Sequence, residues 1–469
     1  MVPFRSALAS LERLRAPLAR RFGVDTRALA ALRVALASLL LVDLARRAGS
    51  LVAFHTDSGV LPRPVVAEMY PTLSRFSLHA LSGGAGLQIL LFALATLAAL
   101  ALLVGYHTRV ATALSLVLLV SVHARTPVVL NGGDALLRRL LVWGLFLPLG
   151  ARWSLDADSG RAWFSGERVA SAAAGGLLVQ VVLVYFVNAL FKLQSPIWGT
   201  GDALRYVFRL DQYTWLLGEF LPGNPELLGA LGALWMVMLA ASPLLVLLTG
   251  RRRVLLVGAF AGAHVSMALT MHLYLFPFVS LAALVPFLPS GVWDRVEARL
   301  PETAGLVSAS APPPRPFTPE TRRRLLTGFV ACALLTAGAW NAIALGYAPA
   351  SDTVGEHSWR MFAGPPTDDI SVAVEGYTVE GERVDPLRGG AYQPTEADRS
   401  FPSERWRRYF LVTWRAGGDF GPLAPYLCAR WNRSGGAGLR NVTVRVTETD
   451  IVLGAPNGAR TETVVASGC

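Results

Sequence analysis

Long apolar stretches separated by short, arginine-bearing polar segments dominate the first three quarters of the chain. With about 20 apolar residues needed for a helix to cross a bilayer, the pattern predicts spans at roughly 28–46, 85–105, 110–124, 135–150, 173–194, 227–249, 254–271, 274–290 and 325–346. Nine spans place the termini on opposite sides. Arginine is densest on the N-terminal side, at Arg251-Arg252-Arg253 and Arg322-Arg323-Arg324, so the N terminus is expected in the cytoplasm and the C terminus outside. Between the last two spans, Ala311-Pro-Pro-Pro-Arg-Pro316 cannot continue a helix and reads as an extended cytoplasmic linker.

From about residue 350 the period changes. Ile370–Gly376 and Asn441–Thr447 alternate as half-buried strands do, Arg408–Trp414 is strand-like in composition, and Leu423–Trp431 reads as a short helix. The expected fold is therefore an all-α polytopic membrane bundle of about nine transmembrane helices carrying a small extracytoplasmic α+β C-terminal domain. Its parts are a cytoplasmic segment over 1–27, a helical membrane domain over 28–346 and the external domain over 347–469. Six arginines and no cleavage-site pattern before the first apolar run make residues 1–27 the start of a retained anchor, and the expected location is the plasma (inner) membrane.

Composition supports that class. The chain has 469 residues, 53% of them hydrophobic and 16% charged, too apolar for an ordinary soluble protein. The net charge of +11 lies largely beside apolar runs, where it marks topology and points away from a nucleic-acid partner. Of three cysteines, Cys428 and Cys469 fall in the polar C-terminal region and would be able to pair outside the cytoplasm; two unpaired thiols are the equal alternative. No nucleotide-binding or hydrolase signature and no metal-ligand spacing occurs, so no metal is expected.

One residue changes the picture. Of 43 basic residues only Lys192 is a lysine, and it lies at the end of an apolar run. Burial can make an amine a neutral base, whereas a guanidinium stays charged. Tyr185, Asn188 and Lys192 are spaced by three and four, which puts them on one face of the fifth span. The competing role for Lys192 is to snorkel to the outer headgroups. His264 lies in the middle of the seventh span, where a histidine is either a hydrogen-bonded structural residue or a functional group. Arg33 and Asp43, ten residues apart in the first span, are expected to find partners on other helices. Asn131-Gly132-Gly133-Asp134 permits a tight turn able to approach a ligand.

The order of these features resembles the HTTM domain family, whose best-known members are the vitamin K-dependent gamma-carboxylases. The resemblance runs over roughly 27–366: Leu32-Arg33-Val with Asp43-Leu, His55-Thr-Asp-Ser-Gly59-Val-Leu-Pro62, Gly105-Tyr-His-Thr-Arg109, Asn131-Gly-Gly-Asp134, Trp153-Ser154-Leu-Asp156, Lys192-Leu with Trp198-Gly, His264, and Ser358-Trp359-Arg-Met361. It implies a membrane enzyme that oxygenates reduced vitamin K, or a menaquinol-type quinol, with O2 to the epoxide, with Lys192 as the base that deprotonates the quinol. It further implies coupled gamma-carboxylation, CO2 adding to a glutamate of a secreted protein or peptide. His264 would bind or orient the quinone. Tyr185, Asn188, Trp198, Asn131, Asp134, Arg33, Trp359 and Met361 complete the implied substrate- or quinone-binding set. The non-enzymatic alternative is a membrane protein that binds quinone or lipid or escorts a secreted protein.

Overall fold

Two of the longest helices start from one small platform. In the computed structural model, which describes residues 17, 19–299, 319–344, 364, 367–393, 401–418, 420–455 and 457–469, strand β1 (Val24–Asp25) pairs antiparallel with β2 (Arg168–Val169). Helices α1 (Thr26–Ala48), α2 (Ala85–Val104), α3 (Thr108–Arg125), α4 (Gly132–Gly144) and α5 (Ala172–Leu193) follow in chain order. Because α1 and α5 leave the same strand pair and are 23 and 22 residues long, their C-terminal ends lie at the same end of the bundle. The remaining helices of the bundle are α6 (Pro225–Ala240), α7 (Gly250–Thr270), α8 (Phe276–Leu284), α9 (Ser290–Glu297) and α10 (Pro319–Ala344).

The chain is mostly helical, and five of these helices, α1, α2, α3, α5 and α7, are long and apolar enough to cross a membrane. A sixth qualifies if the segments Phe276–Phe287 and Ser290–Glu297, bent by 104° to each other, form one broken span. The expected count of nine is therefore not reproduced among the described residues. The fourth expected span is the 13-residue α4, about 20 Å long and too short to cross. The sixth stops at Ala240, just before Pro243, and the eighth breaks where Pro286 follows α8. The Pro-rich linker at 311–316 lies outside the described residues.

Leu29, Leu32, Leu36 and Leu40 of α1 and Leu177, Leu178 and Val181 of α5 belong to one buried core shared by most of the bundle. Outward, Ile89, Leu97, Val110, Leu234 and Leu255 stay exposed. An apolar exterior of this kind needs a lipid environment, since water-soluble surfaces seldom carry so much contiguous apolar area.

The C-terminal region holds a four-stranded antiparallel sheet in the order β4-β3-β5-β6, from β3 (Asp368–Thr378), β4 (Arg383–Val384), β5 (Leu439–Asp450) and β6 (Gly458–Gly468). Val372 opposes Val446 and Val374 opposes Val444, which sets the buried face. Helices α11 (Glu404–Arg415) and α12 (Leu423–Asn432) cover it with Trp406, Tyr409, Phe410, Leu423 and Leu427. The helix expected at Leu423–Trp431 is α12. The strand expected at Arg408–Trp414 is instead part of α11: Trp406, Tyr409, Phe410 and Thr413 are buried at helical spacing, and this face packs on the sheet. The same apolar cluster includes Ala53, Phe54, Val128 and Val129 from the end of the bundle, so the sheet domain is seated on it.

Candidate functional site

The described segments that carry the resemblance fold into three separate places. At one end of the bundle, Gly105 adopts φ +71°, and a Cβ there would fall 2.3 Å from Ser154 Cβ and 2.7 Å from Arg33 Nη1. Arg33 donates to the carbonyls of Leu149 at 3.2 Å and Arg152 at 3.1 Å and to that of Trp153. The Asp156 carboxylate accepts from the backbone N–H groups of His107 and Thr108 and from the Thr108 hydroxyl, capping the start of α3. Arg33, expected to touch quinone, is thus a structural tie. Its two terminal nitrogens donate to loop carbonyls while Nε has no partner among the described residues, and it lies about 15 Å along α1 from Asp43.

The second place is where the bundle meets the sheet domain. Asn131 caps α4, its side chain accepting from Gly133 N at 2.8 Å, while Asp134 Oδ2 accepts from Asn131 N at 2.8 Å, a reciprocal capping box. The small residue at 133 is a packing requirement, since a Cβ would approach Phe276 Cα to 3.0 Å. Arg47 donates to Asp43 Oδ2 at 2.6 Å and to Asp134 Oδ1 at 3.0 Å, and Arg405 reaches Asp43 Oδ1 at 2.8 Å. Arg138 Nη1 lies 2.6 Å from His123 Nδ1, and His123 Nε2 lies 3.4 Å from Asp134 Oδ1. Both imidazole nitrogens of His123 thus face an arginine donor, Nδ1 that of Arg138 and Nε2 that of Arg47, and a neutral ring can accept at only one of them. Asp43, His123 and Asp134 bring ligand atoms within 4.8 Å of one another, but the Arg47 guanidinium, 3.0 Å from His123 Nε2 as well, already sits among them as the cation.

Asp43 and Asp134 also line a cavity of about 300 Å³ with Arg46, Asn131, Tyr274, Arg405 and Trp406. Glu404, at its rim, donates nothing and accepts two bonds from Arg407, at 2.9 and 2.5 Å. Burial pushes its carboxyl above the usual range against the pull of Arg407. Asn131 and Asp134 therefore border a cavity, in positions fixed by helix capping and arginine pairing.

The third place holds the residues of α5. Tyr185, Asn188 and Lys192 are all buried on one face, Lys192 at 2% exposure. Tyr185 Oη lies 2.8 Å from His264 Nε2, and His264 Nδ1 is buried with no hydrogen-bond partner. Aromatic rings enclose the pair: Phe260 lies 4.7 Å from the Tyr185 ring, and Trp235 and Phe276 each lie 5.9 Å from the His264 ring. One to two turns further along α5, Lys192 Nζ sits 4.0 Å above the Trp198 ring. The sequence-predicted Tyr185, Asn188, Lys192, Trp198 and His264 thus share one buried, aromatic-walled strip. Phe276 connects it to the second place, touching His264 on one side and Gly133 on the other.

Ser358, Trp359 and Met361 lie outside the described residues. Arg47, His123 and Arg405 were not anticipated. The Asp43–Arg47 spacing of four signals the first pair, but nothing local signals Arg405, whose partner is 362 residues away. Comparison with family models, curated proteins and solved structures finds no match to this chain.

Proposed function

We propose that this integral membrane protein is a quinol-dependent oxygenase of the vitamin K-dependent carboxylase type, with Lys192 as the base. The single observation that carries the reading is the α5 strip, where the only lysine of the chain is 2% exposed beside Trp198 and shares its helix face with Tyr185, itself bonded to His264. An amine, unlike a guanidinium, can act as a neutral base. The enclosing rings of Trp198, Trp235, Phe260 and Phe276 suit a flat, apolar naphthoquinol head that enters from the bilayer. His264 Nδ1, which lacks a partner, is available to a quinol oxygen.

Lys192 takes the proton of a quinol hydroxyl. Four-electron reduction of O2 by the quinol then gives the epoxide and water, one oxygen atom entering the epoxide and the other leaving as water. Gamma-carboxylation with CO2, where it is coupled, would use the cavity beside Asn131 and Asp134, separated from the strip by Phe276. The nine-span topology with cytoplasmic N terminus belongs to this proposal: the helix α10 and the broken helices α6 and α8 raise the crossings from five to eight, and the ninth requires α4 to cross together with the residues that flank it. An extracytoplasmic sheet domain is supported by the Cys428–Cys469 disulfide, a bond that persists in oxidising compartments. The test is epoxide formation by the purified protein from reduced vitamin K and O2, compared with Lys192→Arg.

A further inference from the structure

The cavity between bundle and sheet domain, beside which the coupled carboxylation is placed, carries charged groups that neither quinol oxidation nor that step uses. Three carboxylates line it, and each is already matched. Asp43 binds Arg47 and Arg405, Asp134 binds Arg47, and Glu404 binds Arg407, so three arginines answer three acids. Two further arginines face the same cavity, Arg46 from the last turn of α1 and Arg430 from α12. Neither has a carboxylate partner among the described residues. Arg46 is held by stacking, its guanidinium carbon 4.6 Å from the centre of the Tyr274 ring, which orients its donors without consuming them. Ser403, which also lines the cavity, is the residue preceding α11, yet its hydroxyl neither caps that helix nor has a hydrogen-bond partner among the described residues. The cavity therefore offers two unused guanidinium forks and an unused hydroxyl, with two positive charges in excess.

The bundle side also gives the lining an apolar portion, from Val129, Leu137, Leu275 and Val279. Arg46 ends a helix long and apolar enough to cross the membrane, and Val42 and Val52, on either side of it in sequence, are exposed. The cavity thus lies where acyl chains would give way to headgroups.

We propose that this cavity is a binding site for a phosphate monoester, held by Arg46 and Arg430 with Ser403 as a third donor. A monoester carries between one and two negative charges at neutral pH and three oxygens able to accept from donors on different elements, which matches the excess charge and the separate origins of the two arginines. A planar carboxylate is satisfied by one fork. The same headgroup chemistry is found in phosphatidic acid and in soluble phosphate, and the apolar lining favours the lipid. The inference is independent of Lys192.

The experiment measures binding of phosphatidic acid to the purified full chain in vesicles or nanodiscs of phosphatidylcholine, with inorganic phosphate in detergent as the second arm. Saturable binding of phosphatidic acid, weakened about tenfold by either Arg46→Gln or Arg430→Gln and further by both together, is expected. Lys192→Arg binds as the unaltered chain does. Arg251→Gln, at the opposite end of the bundle, also binds normally, which separates the site from general attraction to anionic surfaces. Arg46→Lys, which keeps the charge but loses the fork, falls between; a melting curve without ligand checks that each variant is folded. Inorganic phosphate competing with the lipid identifies the headgroup as the recognised part. Phosphatidylglycerol or glutamate binding as tightly as phosphatidic acid, or affinity unchanged in the folded double variant, would overturn the proposal.

Discussion

Lys192 and its neighbours show why a residue type at a position matters more than its charge. The Tyr185 hydroxyl and His264 Nε2 form a buried pair at 2.8 Å, so Tyr185→Phe leaves both imidazole nitrogens without a protein partner. The expected cost is about 1–2 kcal/mol of stability, read as a lowered melting temperature in detergent. A second residue-scale prediction concerns Asp369 in β3, whose carboxylate accepts from the backbone of Asp211 at 3.1 Å. Desolvation, and then the charge of Asp211, push its carboxyl up to about 6. A carboxyl raised in the folded state favours folding while it is protonated, and that contribution is lost as pH rises from about 4, the unfolded value, through about 6. Asp369→Asn should therefore be more stable than the unaltered chain above pH 6, by up to about 3 kcal/mol, and equal to it near pH 4. A stability difference that grew on acidification would contradict this.

At the scale of elements, the sheet domain depends on α11 and on the link that closes its last strand. Phe410 is fully buried against Phe420, Trp406 and the sheet, and Phe410→Ala is expected to cost about 3–5 kcal/mol, seen as early unfolding of this domain. The Cys428–Cys469 bond joins α12 to the residue after β6 across 41 positions. Cys469→Ser should lower the stability of the domain by about 3 kcal/mol, and reduction of the unaltered chain by dithiothreitol should reproduce the loss. Much of this layer was legible in the sequence. β3 and β5 alternate over Ile370–Val374 and Val442–Val446 because one face packs on helices and the other is more open, and α12 has its apolar residues at helical spacing. Two elements were not legible. In α11 the run Tyr409-Phe-Leu-Val-Thr413 is β-like in composition, and only the burial of Trp406 one turn earlier discloses the helical period. β6 is an exposed edge strand with one fully buried residue, Val465, so nothing imposes alternation on it. Among the spans, composition identified the apolar runs but not the breaks at Pro243 and Pro286, because a window of apolar residues averages a proline away.

In the whole molecule, the spans bring together what sequence distance conceals. The segments resembling the HTTM family are not one site: Arg33, Gly105 and Asp156 lock one end of the bundle, Asp43, Asn131 and Asp134 the other, and Tyr185, Asn188, Lys192, Trp198 and His264 share the enclosed strip. Sequence proximity to a matched motif was thus enough to single out Arg33, and its loop-carbonyl partners became visible only with the fold. Arg405, reaching Asp43 from the sheet domain, is the buried ion pair between the two halves, beside the Asp211–Asp369 hydrogen bond. Arg405→Ala leaves a buried carboxylate with one cation fewer, and loosened docking of the sheet domain should appear as faster limited proteolysis at unchanged helical content. The central claim rests on the amine at 192, and the most direct measurement supplies the purified chain with reduced vitamin K and O2 and quantifies epoxide. The account predicts epoxide from the unaltered protein and loss of at least two orders of magnitude with folded Lys192→Arg; full epoxide formation by the arginine variant, or none by the unaltered chain, would contradict it.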